Sequence, residues 1–142
     1  MDDSPTASEP APLRPSERRL QWLLRAIGVL DLLALAAVQM PQFLMSDIYQ
    51  LLGLGEFPKE PIVGYLARTA SMMYGFCGLL LLYLSADVIR YRHVIRFLAC
   101  CGIYAGILIV GIDLIEGMPL WWTILEGPCC GLLAALVYWL AR

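Results

Sequence analysis

The residues best placed to do chemistry are four ionisable groups inside long hydrophobic segments: Asp31, Arg68, Asp113 and Glu126. Each belongs to a different segment. A charge in hydrocarbon costs roughly 2.5–3.5 kcal/mol on insertion scales, so such groups persist where they face one another, a ligand or an ion. Arg68 and Glu126 lie at similar depths, about 10 Å inside the ends of their helices at 1.5 Å per residue. An Arg68–Glu126 ion pair is therefore expected, with Asp113 nearer the surface and Asp31 closer to mid-segment. Two chemistries fit this set. It could be a structural network that fixes helix register, or a ligand or ion pocket.

A second ionisable set lies at the opposite ends of the segments. Asp87 with Arg90, or Asp87 with Arg25, would anchor that rim. Arg90, Arg92 and Arg96 could also hold anionic lipid head groups. His93, the single histidine, reads as a turn residue. The five cysteines Cys77, Cys100, Cys101, Cys129 and Cys130 fall inside hydrophobic segments with no C-x-x-C spacing. They are expected to act as small, buried apolar residues. One histidine among such cysteines makes no metal site, and no cofactor is implied. The chain shows no nucleophile–base pair, metal-ligand cluster or phosphate loop, which argues against an enzyme.

Composition defines the elements that must position these groups. Hydrophobic residues are 60% and charged residues 15% of the 142-residue chain, and mean hydropathy is +0.70. Soluble domains run at about 45–50% apolar and about 25% charged. The reading is an all-α polytopic membrane protein of one domain. A net charge of -2 gives no basic face for nucleic acid.

Residues 1–15 contain Asp2, Asp3, Glu9 and four prolines, a composition that predicts a disordered cytoplasmic tail. The tail begins acidic rather than basic, so the first hydrophobic segment is expected to remain as a signal-anchor. Four transmembrane helices are predicted at about 17–40, 61–90, 94–115 and 120–141, with Ser16 as N-cap of the first. A short amphipathic helix is expected in the first outer loop. Its Phe43, Leu44, Ile48, Leu51 and Leu52 oppose Gln42, Ser46, Asp47 and Gln50, and Gly53 and Gly55 end it. That helix would lie in the membrane interface or pack on the bundle. Between the second and third helices no glycine or proline occurs from Leu79 to Cys101. An unbroken helix there would be ~85 Å long, against a hydrocarbon core of ~30 Å. A turn is therefore expected near Tyr91, Arg92 and His93.

The basic residues orient the bundle. With the N-terminus inside, Arg14, Arg18, Arg19, Arg25, Arg90, Arg92, Arg96 and Arg142 are cytoplasmic, and only Lys59 and Arg68 are outward. The positive-inside rule selects this topology, with both termini cytoplasmic, and the tryptophans Trp121 and Trp122 then form an outer belt opposite Trp22 and Trp139. Small-residue stripes offer helix contacts: Ala67, Ser71 and Gly75; Gly102 and Gly106; Gly127, Gly131 and Ala135. Helix periodicity puts Arg68 on the face of Gly75, and Asp113 on the face of Gly106. All four charges should then converge in the interior, in a pocket opening to the outer leaflet.

The runs Arg68-Thr-Ala-Ser, Ser-Ala-Asp87-Val-Ile-Arg90-Tyr91, Gly-Ile-Asp113-x-x-x-Gly-Met-Pro119-Leu-Trp-Trp and Glu126-Gly-Pro128 resemble an uncharacterised family of small four-helix bacterial inner-membrane proteins. The resemblance covers about residues 20–142. It implies a four-helix bundle in the inner membrane and no activity. Membrane thiol oxidoreductases and small multidrug exporters fit less well, the first for lack of C-x-x-C pairs. The expected function is a non-catalytic subunit, or a bundle that binds a small molecule or lipid. The alternative is a small proton-coupled transporter in which Asp31 or Glu126 carries the proton. Expected partners are the lipid bilayer and another membrane protein or a second copy of the chain.

Overall fold

A computed structural model describes residues 13–142, so most of the acidic segment 1–15 lies outside the described residues. Among these residues the regular structure is entirely helical: α1 (Pro15–Leu33), α2 (Leu35–Val38), α3 (Gln42–Leu51), α4 (Pro61–Ala86), α5 (Arg92–Glu116) and α6 (Leu120–Leu140). Four stretches are long and apolar enough to cross a membrane: Pro15–Val38, which joins α1 and α2, then α4, α5 and α6.

Local chemistry explains the boundaries. Pro15 occupies the first helical position of α1, where a missing N–H costs nothing. Glu17 accepts the Arg14 backbone N–H at 2.9 Å. The predicted Ser16 cap is corrected accordingly, because Ser16 lies within the helix. The first long helix is also not continuous to Met40. It tightens at Ala34, whose N–H reaches back only three residues to the Asp31 carbonyl at 3.1 Å. The short helix α3 forms as expected and ends at Gly53 in the left-handed region (φ 71). Leu54 N–H then bonds Tyr49 O, and Gly53 N–H bonds Gln50 O, a Schellman closure. Only Met45 of α3 is buried. Phe43 and Leu51 of its apolar face stand 69% and 86% exposed.

The α4–α5 turn is earlier than chain length suggested. α4 ends at Ala86 instead of Arg90, and residues 87–91 form the turn. Asp87 explains the shift, since its carboxylate Oδ1 accepts the Arg90 backbone N–H at 3.0 Å. A short acid that bonds the backbone beyond it competes with helix continuation. Val88, within the turn, is 1% exposed and belongs to the core. At the far end of α5, Gly117 (φ 69) allows its own N–H and that of Met118 to meet the Asp113 carbonyl.

Helices pack in two pairs. α1 and α2 lie along α4, and α5 lies along α6, while α1 makes a lighter contact with α6. Consecutive α4 and α5 scarcely touch. Glycines set the intimacy of each pair. A Cβ on Gly78 would stand 2.5 Å from the Gly28 carbonyl oxygen, and one on Gly106 would stand 2.8 Å from both Gly127 O and Gly131 N. Gly75 receives the side chain of Leu35. The main buried core lies at the end where α1 begins and α6 finishes: Leu20, Leu24, Leu84, Val88, Ile95, Ala99, Val137 and Ala141. The cysteines depart from expectation. Cys77, Cys100, Cys101 and Cys129 are exposed and Cys130 is half-buried, all as free thiols. Glycines rather than cysteines form the helix crossings.

Gly106→Ala and Gly78→Ala should each lower stability by about 1–3 kcal/mol, because the added methyl meets backbone that cannot yield. Gly111→Ala meets nothing within 4 Å and should be neutral or stabilising by up to about 1 kcal/mol. Unfolding in detergent micelles measures the contrast; equal losses at all three positions would contradict the pairing.

Candidate functional site

Between the two helix pairs lies a cavity of ≈ 500 Å³ lined from α1, α4, α5 and α6. Its floor is the top of the terminal core: Leu24, Ile95, Ala99 and Val137. Leu98 lies beside this floor, and higher up the walls are Ile27, Leu81, Ile109 and Leu133. Asp31 (α1), Tyr74 (α4) and Glu126 (α6) bring the strongly polar side chains, and Cys77 and Cys130 lie one turn below the tyrosine and the glutamate. Helix register gives their height. Asp31 follows Leu24 by two turns, about 10 Å, and Glu126 precedes Val137 by three, about 16 Å. The polar groups therefore crown the end of the cavity away from the core.

Asp31 is set there by the Gly28–Gly78 crossing, since its Cβ lies beside the Gly78 backbone. It stands three residues before the tightened turn at Ala34. Glu126 is set by Gly127, whose face is pressed against α5 at Gly106 and Val110. The Trp122 indole N–H, one turn earlier on the same helix, donates to the Glu126 carboxylate.

The expected Arg68–Glu126 ion pair does not form. Arg68 is half-buried and donates from Nη1 to Val38 O at 2.7 Å and from Nη2 to Met40 O at 2.9 Å. It caps the carbonyls at the end of the first long helix. The last carbonyls of a helix lack partners within it, and a guanidinium fork satisfies two at once. Asp113 is also outside the cavity. It is 5% exposed in the α5–α6 contact, where Oδ2 has no hydrogen-bond partner. The antiparallel register marked by Gly102 against Ala134 and Gly127 against Val110 puts Asp113 level with Thr123. The Thr123 hydroxyl is likewise buried and unpartnered. Of the four charges, the fold brings together Asp31 and Glu126 and separates Arg68 and Asp113.

The opposite rim is built on a residue that the charge pattern did not single out. Glu17 is 4% exposed and bonds Arg92 Nη2 at 2.7 Å through Oε1. Arg92 Nη1 also reaches the carbonyl oxygen of Arg142 at 3.4 Å, and Arg96 Nε donates to Ala141 O at 2.6 Å. Gln21 Nε2 bonds Ser85 O at 2.9 Å. This rim ties α1 to α4 and α5, and α5 to the end of α6. Asp87 engages the backbone of Arg90, as described above, and not the side chain of Arg90 or of Arg25. Arg25 stacks on Trp22, and Arg90 on Tyr91. His93 is exposed. Tyr74 was not foreseen either, although its spacing from Cys77 and Leu81 marks one helical face. For Glu17 the signal was its place in the first turn after Pro15, where an acid favours the helix start.

No protein-family model, curated protein or solved structure matches this chain.

Two stability outcomes follow from this geometry. Arg68→Met should cost about 1–3 kcal/mol through its lost carbonyl bonds. Its effect should add to that of Glu126→Gln within about 0.5 kcal/mol, since the two share no bond; a double-mutant cycle with larger coupling would restore the ion pair. Arg92→Leu should cost about 1–3 kcal/mol by taking from buried Glu17 the closer of its two guanidinium partners, whereas Arg90→Ala and Arg25→Ala stay within about 0.5 kcal/mol. Chemical unfolding in micelles reads both.

Proposed function

We propose that this chain is an integral membrane protein that binds a small amphipathic molecule or lipid, without catalysis, in the cavity between its helix pairs. The observation that carries the reading is the cavity's polarity gradient, with apolar walls rising from a packed floor to two carboxylates and a phenol. Ligand sites of about 300–1,000 Å³ are mostly apolar with a few placed polar groups, and this one conforms. Membrane insertion is supported by the outer surface. Leu30, Phe97, Ile107, Leu132 and Trp139 are each more than 60% exposed, a surface that water would not tolerate in such quantity. The arginine bias supports an orientation with both termini cytoplasmic, and the bacterial inner membrane is what the family resemblance implies. The cavity's carboxylates then belong to the outer half. The uncovered apolar side of α3 supports a position in the outer interface, with Phe43 and Leu51 in lipid. Because α4 and α5 scarcely touch, the ligand's route from the bilayer is between them.

A second reading, proton-coupled transport, is favoured by one observation: Asp31 and Glu126 share the cavity on different helices. Native mass spectrometry of protein extracted in mild detergent tests the first reading. A retained small molecule or lipid, lost in an Ala134→Trp variant that fills the cavity, is the expected result. Wild-type spectra free of any adduct, with pH-driven flux in proteoliposomes that Asp31→Asn abolishes, would replace binding with transport.

A further inference from the structure

We infer that the molecule this cavity accepts is an amphipathic cation: an apolar aliphatic or aromatic body carrying one protonated amine or other onium group. The inference rests on the binding reading above and adds the ligand's charge. Both carboxylates stand at the same end of the cavity, and no lysine, arginine or histidine lines it. Arg68, six residues before Tyr74 on α4, is held by the Val38 and Met40 carbonyls. Neither Asp31 nor Glu126 enters an ion pair among the described residues. Two acids without a counter-charge at the head of an apolar chamber are complementary to a positive group, and they repel an anionic head group. Tyr74 adds an aromatic ring to the lining near them, and an onium group is attracted to the face of such a ring.

The apolar part of the ligand is set by the walls. From the Leu24 and Val137 floor to the carboxylates the helices rise about 10–16 Å, enough for a body of a few rings or a medium alkyl chain. The neutral hydroxyls of a sugar or polyol would meet Leu81, Leu98 and Leu133, and leaving such groups unpaired is costly. Charge at one end and apolar length at the other thus define the class.

Tetraphenylphosphonium and tetraphenylborate test it, because they share shape and differ in the sign of charge. Equilibrium dialysis against the full chain in a non-ionic detergent, corrected for empty micelles, should show saturable binding of the phosphonium and none of the borate. Asp31→Asn and Glu126→Gln, near-isosteric changes whose folding is checked by thermal unfolding, should each weaken phosphonium binding at least tenfold. Ala134→Trp should abolish it by occlusion. Should the borate bind as well as the phosphonium, with loss only in Ala134→Trp, the cation class falls and the cavity reading stands. Should neither ion bind saturably, and the extracted protein carry no adduct, both fall. Phosphonium binding unchanged in the two carboxamide variants would also overturn the inference.

Discussion

Where α1 crosses α4, the backbone of Gly78 lies against the carbonyl of Gly28, and where α5 crosses α6, Gly106 lies against Gly127 and Gly131. Helix axes can come this close only where side chains are absent, and close backbone contact gains dispersion energy over many atoms. In hydrocarbon this is the main attraction left between helices, since lipid is as apolar as leucine. Each pair spends its small residues on its own crossing. Between the pairs α1 makes only a lighter contact with α6, and α4 scarcely meets α5. The packed core at the terminal end and the cavity above it are both results of that division.

Charged groups complete what the glycines begin. At the terminal end, Glu17 and Arg92 join α1 to α5, and Arg96 and Arg92 cover the last carbonyls of the chain. At the other end Arg68 covers the carbonyls left open where the first long helix stops. A guanidinium with five donors can serve two such carbonyls at once. With Arg68 so engaged, the cavity keeps its acids without a balancing base. The tightened turn at Ala34, three residues beyond Asp31, lies between these two features. Beyond it the carbonyls of Val38 and Met40 meet Arg68, and before it Asp31 lines the cavity.

Much of the architecture was legible in the order of residues. Long apolar runs bounded by Pro41, Pro61 and Pro119 mark four helices, and Gly53 and Gly117 mark two ends that the backbone confirms with positive φ. The heptad spacing of Gly106 and Asp113 placed both inside, and both are buried. The early α4–α5 turn carries no glycine or proline; it depends on Asp87 acting as a backbone acceptor, a role that its place among the rim charges does not reveal. The cysteines are not packed away as expected because glycine, still smaller, takes the helix crossings.

The sequence by itself determined the helical class, the four long apolar helices, the small-residue stripes and the short list of charged residues inside them. Those properties follow from periodicity and composition, which are local. Which charges meet was decided only in three dimensions. Asp31 and Glu126 share a cavity, while Arg68 turns to the Val38 and Met40 carbonyls and Asp113 sinks into the α5–α6 contact. Depth along a helix can be counted from sequence, but the azimuth of one helix against another depends on which glycine crossing each pair adopts. A long arginine side chain then goes to the nearest unpaired oxygens, and here those belonged to the backbone.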